Sequence, residues 1–531
     1  MTDRYVNTAL GSNGDGSSGS PWNRIPNTTS GTAAGNTLSA GDVVYIQAGS
    51  HTFGERLVIS ANNLQFLPWY AYGESDPLVL TLPSPGRPWL TRSLQANRGM
   101  WTVQNSTGSG SCVAFGAERV GVRIEAAHII GDSGSGQGVA MGLSTTVAGT
   151  GNSMIACRVS PYLAGNNNGI SLNTLNALLY RCMFDGAGSD TVNFASAAAN
   201  GNRAGSIDRV IECEIGPANQ ATISGTKASQ TGDELQYQNG ALNAGVGNLV
   251  VRGCYLRRNS AGKQMILSGG QGWSLITGNL LEAEPSSLLT GIGSDPPNGA
   301  TIMINAGWGR NYVLGNVLRN RRNGFTLGGA GTISALRVVD GQDVTDSTRT
   351  TTDTRFCANL LDLDGAPAFA LGGTVNGGAV RVIGNTCIGD VDVMSQNNGT
   401  TAAANGFTYA ESRNAWLATA SGYMIDWSQL SSAFTFRNNR YGSAPAGYRV
   451  MGVDYGTAAA GIAALASAGC DATGSAELLS ALVNEYGEPT PASPLLLAGD
   501  AERRYRRDIR GNQRRLNIGA YGALGPYIVS A

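Results

Sequence analysis

The stretch that decides the fold is Met154-Ile155-Ala156-Cys157-Arg158-Val159, which recurs with variations along the chain. Each copy has alternating apolar residues, one or two variable residues, a Cys or Asn, and a further apolar position. A constant motif separated by segments of variable length predicts short strands stacked as the coils of a solenoid, because one coil cannot bury its own apolar face. The other copies lie at 179–184, 210–215, 251–256, 276–281 and 314–318, with weaker ones at 359, 382–385 and 436–439 and a degenerate one at 124–129.

Composition favours one long repeat domain. The 531 residues include 75 glycines, 42% are hydrophobic, and the net charge is only −1. The glycines have no three-residue period, which excludes collagen, and the hydrophobic content excludes disorder. A neutral chain without a basic face is not expected to bind nucleic acid, and no apolar stretch is long enough to span a membrane. Residues 1–5 lack the features of a signal peptide, so we expect no export by the ordinary secretory route.

The Cys and Asn of the motif form one predicted column through the solenoid. Small inward thiols pack as hydrophobic groups, so Cys157, Cys182, Cys213 and Cys254 predict a ladder of buried free thiols. An Asn in the same column can pair its amide with the next coil. The sequence contains no CxxC spacing, which disfavours a disulfide or a metal site. The only two histidines, His51 and His128, share no motif, which disfavours zinc hydrolases and Ser-His-Asp triads.

The two ends differ from the repeats and predict the domain boundaries. We expect a capping segment at 1–40, the solenoid at 41–450 and a closing segment at 451–531, since an open last coil would expose its core. Residues 457–486 of the closing segment are predicted to be helical, and the prediction rests on the alanine-rich run 458–468 and the stretch 476–483.

Both ends also resemble a known superfamily. Tyr5-Val-Asn-Thr8, Gly14-Asp-Gly16, Ser20-Pro-Trp22 and Gly41-Asp-Val-Val-Tyr-Ile46 are similar to the first coil of right-handed β-helix proteins of the pectate-lyase-like superfamily. Ser493–Gly499, Asp508–Arg514 and Asn517–Tyr521 resemble its closing motif. The resemblance implies an all-β, single-stranded right-handed parallel β-helix. It says little about the substrate.

Within this superfamily, the expected lack of a signal peptide favours a resemblance to bacteriophage tail spikes, because these proteins leave the cell by lysis and not by secretion. That resemblance implies a homotrimer on the virion tail, attached through a tail or baseplate adaptor protein. It also implies that the chain binds, and in many tail spikes cleaves, O-antigen or capsular polysaccharide at the host cell surface. Two alternatives stay open: a structural or receptor-binding virion β-helix without catalysis, and an exported bacterial polysaccharide lyase or hydrolase.

Alignment of a second strand of each coil predicts a candidate site. The copies 168–172, 190–194, 233–237 and 263–267 place their last apolar residues inward by period-two alternation. The residues that then face outward on one sheet are Ser171, Asn193, Glu234, Gln236 and Gln264, and those that begin the strands at one corner are Asp190, Asp233 and Lys263. The predicted catalytic residues are Glu234, Asp233, Asp190 and Lys263, and the predicted substrate-binding residues are Asn193, Gln236, Gln264 and Trp308.

Two chemistries fit such a set. Glycoside hydrolysis needs an acid and a second carboxylate, with Glu234 or Asp233 as proton donor, whereas elimination needs a base and a group that neutralises a uronate. The alternative is a surface ion ladder and turn caps, because Asp is common at turns. No cofactor is expected, although the acidic stretch 340–353 and Asp362-Leu-Asp364 leave bound calcium open. Further candidate acids are Glu212, Glu214, Glu282, Glu284 and Asp295, of which Glu214 is predicted to point outward. Candidate sugar platforms are Tyr255, Trp273, Trp308, Tyr312, Trp416 and Trp427.

Overall fold

The computed structural model divides the chain into two compact units, residues Met1–Lys263 with Leu288–Gly293 (unit 1) and Gln264–Ser287 with Ser294–Ala531 (unit 2). The residues that it describes are 2–26, 36–47, 56–69, 78–81, 93–96, 101–105, 111–115, 119–131, 138–141, 149–160, 168–194, 205–216, 233–238, 247–258, 266–269, 272–283, 302–305, 309–321, 336–339, 351–364, 369–372, 378–390, 394–397, 408–412, 414–418, 423, 425–427, 430, 432–441 and 447–476.

Unit 1 is built from three parallel sheets to which successive coils each add short strands. Sheet 1 contains Asp3–Val6, Val43–Ile46, Gln65–Pro68, Arg123–Glu125, Ser153–Ile155, Leu178–Tyr180, Ile207–Ile211 and Asn248–Arg252. Sheet 2 contains Trp101–Asn105, Ala127–Gly131, Arg158–Ser160, Met183–Phe184, Glu214–Ile215 and Tyr255–Arg258. Sheet 3 contains Leu57–Ile59, Val113–Phe115, Val139–Met141, Ile170–Leu172, Val192–Phe194 and Leu235–Gln238. Two small pairs accompany them: Gly149–Thr150 with Thr174–Leu175, and Leu78–Thr81 with Ser93–Ala96.

Unit 2 repeats the three-sheet arrangement. Its sheet 1 contains Trp273–Thr277, Gly309–Leu314, Thr351–Cys357, Ala379–Ile383, Thr408–Ser412, Phe434–Tyr441 and Asp471–Ala476. Its sheet 2 contains Leu280–Ala283, Val317–Arg321, Leu360–Asp364, Thr386–Asp390 and Ala415–Ala418. Its sheet 3 contains Ile266–Gly269, Ile302–Asn305, Leu336–Val339, Phe369–Gly372 and Met394–Asn397. The strands Ile425–Trp427, Tyr448–Val450 and Val453–Tyr455 form a separate small sheet. The predicted parallel β-helix fold is confirmed.

The predicted thiol ladder is present in unit 1. All eight cysteines are free and buried. The N–H of Cys182 donates to Cys213 Sγ over 3.4 Å, and the N–H of Cys213 donates to Cys254 Sγ over 3.5 Å. Burial raises the pKa of Cys157 and Cys213, because a thiolate is poorly solvated there. These thiols therefore pack as core side chains and are poor nucleophiles.

In unit 2 the same column is an asparagine ladder. Asn316 donates through both its backbone N–H and its Nδ2 to Asn359 Oδ1, over 2.9 and 3.0 Å. Asn359 repeats both bonds to Asn385 Oδ1 and also donates to Val313 O. All the ladder side chains are buried, so each amide satisfies groups that would otherwise lack a partner. The ladder consists of Asn279, Asn316, Asn359, Asn385, Asn414 and Asn439.

The residue before each Cys or Asn turns the chain between sheets 1 and 2. Ala156 and Arg181 have a φ of 52°, in the left-handed region, and Gly278 and Gly384 have a φ of 63°. Glycine adopts this region without strain, which accounts for the glycines of the later repeats. The turn geometry is thus constant although the residue type varies.

The first and last described strands can be compared with the predicted segments 1–40 and 451–531. Asp3–Val6 pairs with Val43–Ile46, so the predicted cap at 1–40 supplies the first strand of the solenoid itself. The predicted helix at 458–468 is confirmed as Ala458–Ser467, whose N-cap residue Thr457 accepts a bond from Ala460 N. The helical prediction is wrong for 471–476, because Asp471–Ala476 is a strand that pairs with Phe434–Tyr441. The stretch 477–531, with the rest of the predicted helical range and the closing motif, lies outside the described residues. No helix among the described residues is long and apolar enough to span a membrane.

Candidate functional site

The predicted corner in unit 1 consists of Asp190, Asp233 and Glu234, here called the carboxylate corner. The strand register is the predicted one, since Val192 pairs with Leu235 and Asn193 with Gln236. The Asp233 N–H donates to Asp190 Oδ1 over 2.8 Å, so the aspartates stack on neighbouring coils as expected. The apolar residues that were predicted to point inward are buried: Ile170, Leu172, Val192, Phe194, Leu235 and Tyr237.

The prediction that Glu234 faces outward is wrong. Its exposed fraction is 0%, that of Asp233 is 1% and that of Asp190 is 6%. Glu234 lies immediately before the strand Leu235–Gln238, at the position that Thr191 occupies one coil earlier. Thr191 is also buried, and its hydroxyl donates to Gly216 O over 3.0 Å. Period-two alternation does not apply at this position, because it belongs to the turn and not to the strand.

Asp190 performs the turn-capping role that was the alternative to catalysis. One coil earlier, Asn168 Oδ1 accepts from the Asp190 N–H over 3.2 Å in the same way that Asp190 accepts from Asp233. Burial is the largest cause that raises the pKa of Asp190 to about 6, and the Glu234 charge adds to it. Bonds from the Asp233 N–H and the Asn193 amide act in the opposite direction.

Two predicted binding residues, Asn193 and Gln236, lie beside this corner and are half-exposed. Asn193 Nδ2 donates to Asp190 Oδ2 over 2.5 Å and to Gln236 Oε1 over 3.0 Å. Their outward orientation agrees with the prediction. The other predicted site residues lie outside the described residues: Lys263, Gln264 and Trp308.

The structure brings together a second polar group on the outer face of sheet 2 in unit 1. This outer-face cluster consists of His128, Arg158, Ser160 and Asp185. His128 pairs in register with Arg158 on the next coil. Asp185 directly follows Met183–Phe184, and its N–H donates to Val159 O over 2.9 Å, which places it beside Ser160.

Hydrogen bonds connect the four side chains of the cluster through the Ser160 hydroxyl and the Asp185 carboxylate. Ser160 Oγ donates to Asp185 Oδ2, and Arg158 Nε donates to the same oxygen over 2.8 Å. His128 Nε2 lies 3.0 Å from Ser160 Oγ. A hydroxyl has one hydrogen, so when Ser160 donates to Asp185, the imidazole Nε2 must donate to Ser160. The cluster therefore connects an imidazole to a carboxylate through one hydroxyl.

The outer-face cluster is accessible, unlike the carboxylate corner. The Asp185 side chain is 22% exposed and that of Arg158 is 34% exposed. His128 and Ser160 are half-buried. Burial and then the Arg158 charge lower the pKa of His128, while the Asp185 carboxylate opposes them. A neutral imidazole near pH 7 can accept a proton as well as donate one.

A further ion pair lies on the next coils of the same face. Glu214 is in register with Met183 and Tyr255, and Arg257 Nη2 lies 2.8 Å from Glu214 Oε1. The register puts Glu214 on the outer face, as the sequence predicted, but its side chain is only 6% exposed. A coil and two residues separate Asp185 from Glu214, so their Cα atoms lie about 8 Å apart at ordinary strand spacings.

Gly216 allows the close approach of the backbone that carries Asp185. Its N–H donates to Phe184 O over 2.7 Å, so it lies beside Asp185 on the following coil. A Cβ on Gly216 would stand 2.7 Å from Phe184 O and 2.8 Å from the Asp185 carbonyl carbon. A larger residue would therefore displace the backbone that carries Asp185.

Sequence reasoning missed the outer-face cluster. His128 is set aside at the level of sequence because the two histidines share no motif. The cluster is not the Ser-His-Asp triad that the sequence disfavours, because Ser160 lies between the imidazole and the carboxylate. The available signal was register: His128, Ser160 and Asp185 lie at or within three residues of the recurring Cys or its equivalent. Stacking the repeats would have placed them on one face.

The candidate sugar platforms fall into a buried group and a half-exposed group. Trp416 and Trp427 are buried in the core and Tyr255 is 8% exposed, so none of the three is an open sugar platform, whereas Trp273 and Tyr312 are half-exposed. Glu284 and Asp295 lie outside the described residues. Within the described ranges, no group of three or more His, Cys, Asp or Glu side chains is placed to hold a metal ion.

Comparison of the chain with known proteins finds similar solved structures but no matching family model or curated protein. Similar solved structures include pectate lyase Pel9A, with 13% identity and a TM-score of 0.34 over 99% of this chain and 97% of that one. They also include the GH136 lacto-N-biosidase from Eubacterium ramulus, with 11% identity and a TM-score of 0.26 over 90% of this chain and 67% of that one. The assignment of the fold rests on the strand pairing described above.

Proposed function

We propose that this chain binds a bacterial surface polysaccharide and cleaves it at the outer-face cluster of unit 1. The observation that carries the proposal is the accessible Asp185 carboxylate, which is held by Arg158 and linked through Ser160 to His128. Catalytic carboxylates need a positioned proton path and room for a substrate. The outer face of a sheet offers a long, open surface that suits a linear polymer.

The reaction that we favour is hydrolysis of a glycosidic bond. One carboxyl group gives its proton to the leaving oxygen as the carbon–oxygen bond breaks. The second carboxylate takes a proton from the water whose oxygen bonds to the sugar carbon. The accessible Asp185 is the proton donor that we propose. Glu214 is the proposed base; its side chain is only 6% exposed, and in this role it has to reach a water molecule and not the sugar. A Cα separation of about 8 Å is compatible with the carboxyl spacing of an inverting hydrolase, in which a water lies between the two groups.

The hydroxyl link gives Asp185 a route for its proton. When Asp185 is protonated, it can donate to Ser160 Oγ, and Ser160 can then donate to the neutral His128 imidazole. When Asp185 is ionised, both bonds reverse and the carboxylate accepts again. After Asp185 has given its proton to the leaving oxygen, His128 takes up one proton from solvent and passes one on to Asp185 through Ser160, so that all three groups return to their starting states. We assign His128 and Ser160 no contact with substrate.

Elimination is the second candidate, and the arginines favour it. Arg158 and Arg257 stand on the same face as Asp185, and guanidinium groups neutralise the carboxylate of a uronate. A β-elimination would then remove a proton from the carbon next to the uronate carboxyl group and expel the glycosidic oxygen. The products distinguish the two reactions, because only elimination forms an unsaturated uronate.

The biological setting of the proposal is a bacteriophage tail spike. Both ends of the chain resemble right-handed β-helix proteins of the pectate-lyase-like superfamily, a group that includes tail spikes, and this resemblance supports the proposal. We propose a homotrimer that is attached to the virion tail through an adaptor and acts at the host cell surface. Mass photometry of the purified chain tests the trimer, and binding to whole host cells tests the setting. A monomer at micromolar concentration would contradict the trimer.

The test of activity is a screen of the purified protein against bacterial O-antigens and capsular polysaccharides. New reducing ends without ultraviolet absorbance would support hydrolysis, and absorbance by an unsaturated product would support elimination. Binding without either product would support the non-catalytic alternative. Depolymerisation only of a plant or storage polysaccharide would favour an exported bacterial enzyme. Neither binding nor cleavage of any surface polysaccharide would contradict the proposed function.

A further inference from the structure

A second surface, in unit 2, combines aromatic rings with guanidinium groups. Trp273 pairs in register with Arg310, and Arg310 with Asp353, in one row across three coils of sheet 1. Two residues along the strands, Tyr312 pairs with Arg355 and Arg355 with Arg381 in a parallel row. We call this surface the unit 2 platform: Trp273, Arg310, Tyr312, Asp353, Arg355 and Arg381.

The residues between the platform residues are buried, and since side chains alternate along a strand, the platform residues face outward. Ser274, Asn311 and Thr354 alternate with the platform residues and form a buried hydrogen-bonded stack. Ser274 Oγ donates to Asn311 Oδ1 over 2.8 Å, and Asn311 Nδ2 donates to Thr354 Oγ1 over 3.2 Å. This inner stack fixes the register of the coils, so the outer side chains stand on a rigid base.

The platform is accessible and carries a net positive charge. Arg310 is exposed, Trp273 and Tyr312 are half-exposed, and the side chains of Arg355 and Arg381 are 40% and 38% exposed. Three guanidinium groups stand against the one carboxylate of Asp353, which gives a net charge of 3 − 1 = +2 for these six residues. The whole chain, in contrast, has a net charge of −1.

Asp353 orders the guanidinium groups without neutralising them all. Arg355 donates to Asp353 Oδ2 through Nε and Nη2, over 2.9 and 2.6 Å. Arg381 Nη1 lies 3.2 Å from Asp353 Oδ1. The Arg355 guanidinium also lies 5.5 Å from the centre of the Tyr312 ring. Arginines held in this way lose little side-chain entropy when they bind an anion.

We infer that the unit 2 platform binds an acidic polysaccharide. Planar guanidinium groups match carboxylate and phosphate groups, and half-exposed aromatic rings offer contact with the apolar faces of sugar rings. Both features stand in rows that follow the coils, which suits a repeating polymer better than a single small anion. The inference rests on the proposed function, because it takes the ligand to be of the same class as the substrate of the unit 1 site.

The test measures binding and cleavage separately. Binding of the full chain to sodium polygalacturonate is compared with binding to neutral dextran by affinity electrophoresis. The D185N variant is used, so that turnover does not remove the ligand. We expect R310S/R381S to weaken binding to polygalacturonate at least about tenfold, in line with the loss of two charge-assisted contacts. We expect W273A to weaken binding as well, because it removes an aromatic ring that would contact a sugar ring. The control is R437S/R449S, which removes two other paired arginines of unit 2.

Several results would overturn the inference. These are unchanged binding in R310S/R381S, an equal loss in R437S/R449S, equal retention by dextran, or equally tight binding of single-stranded DNA. A change in oligomeric state with unchanged binding would make the platform an interface between copies and would also overturn it. Cleavage of surface polysaccharide by the chain with an intact Asp185 tests the proposed function independently, so the two failures can be told apart.

Discussion

Ser160 Oγ donates a hydrogen bond to Asp185 Oδ2 across neighbouring coils of unit 1. The same hydroxyl lies 3.0 Å from His128 Nε2, so it is the only link between the imidazole and the carboxylate in the described cluster. We assign the proton route of the proposed reaction to this link. Removal of this one oxygen atom is therefore expected to alter catalysis without altering the fold.

The S160A variant should lower kcat for polysaccharide cleavage about 10- to 100-fold, with little change in KM, since general acid–base assistance contributes on this scale or more. The pH profile of kcat should lose the limb that depends on His128. S171A, which removes a half-exposed serine from sheet 3 of the same unit, should leave both parameters unchanged. An unaltered pH profile in S160A would show that the serine has only a structural role.

Asp190 should tolerate an amide but not an apolar residue. Asn168 already performs the same capping role one coil earlier, so an asparagine at 190 can accept from the Asp233 N–H. We expect D190N to fold and to cleave at the level of the wild type. D190A should lower the free energy of unfolding by about 1–3 kcal/mol, because it leaves a buried N–H without its acceptor. Loss of cleavage in well-folded D190N would return the catalytic role to the carboxylate corner.

Glu411 should make unit 2 less stable as the pH rises. It is buried in the core, where Trp416 Nε1 and Tyr409 Oη donate to its carboxylate. Burial raises its pKa from 4.5 to about 7 despite these bonds. Its contribution is thus fully present below about pH 4.5 and is lost as the pH rises through about 7, by up to about 3 kcal/mol.

The E411Q variant keeps the shape of the protonated side chain and has no charge to bury. Urea denaturation at several pH values should show that the pH-dependent loss of stability between about 4.5 and 7 is much smaller in E411Q than in the wild type. Identical pH dependence in the two proteins would contradict the assignment of this titration to Glu411.

The asparagine ladder should be sensitive to the loss of one amide. Asn359 accepts two bonds from Asn316 and donates to Val313 and Asn385. N359A would leave several buried groups without partners, and we expect it to lower the free energy of unfolding by about 3 kcal/mol or more. C213A in the thiol ladder removes a small side chain and the weak sulfur acceptor of the Cys182 N–H, and should cost about 1–2 kcal/mol. Equal costs in a urea titration would contradict the proposed role of the amide bonds.

Much of the fold could be predicted from the sequence, because the deciding feature is local and repeated. The Cys and Asn column follows from one residue type that recurs at one place in each motif, and Cys213 stacks between its neighbours as expected. The alignment of Asn193 with Gln236 followed from the same alternation. Period-two patterns specify which face of a strand is buried, and they hold wherever the backbone is extended.

The site could be predicted only in part, because turns do not follow the alternation of strands. Glu234 precedes its strand by one residue, and the turn directs it into the protein. His128, Ser160 and Asp185 share no sequence motif, since their proximity comes from stacked coils of different lengths. Their positions relative to the recurring Cys are the one signal in the sequence, and the loops of different length between the repeats obscure it.

The most direct test of the proposed catalytic role of Asp185 is cleavage of a host surface polysaccharide by wild-type protein and by D185N, with binding of the same polymer measured in parallel. The amide introduced by D185N would keep the hydrogen bond from Arg158 or Ser160 but could not exchange a proton as a carboxyl group does. We expect D185N to retain its fold and its binding of the polymer and to lose at least about 100-fold in the rate of cleavage. A folded D185N that cleaves the polymer at the wild-type rate would contradict this role.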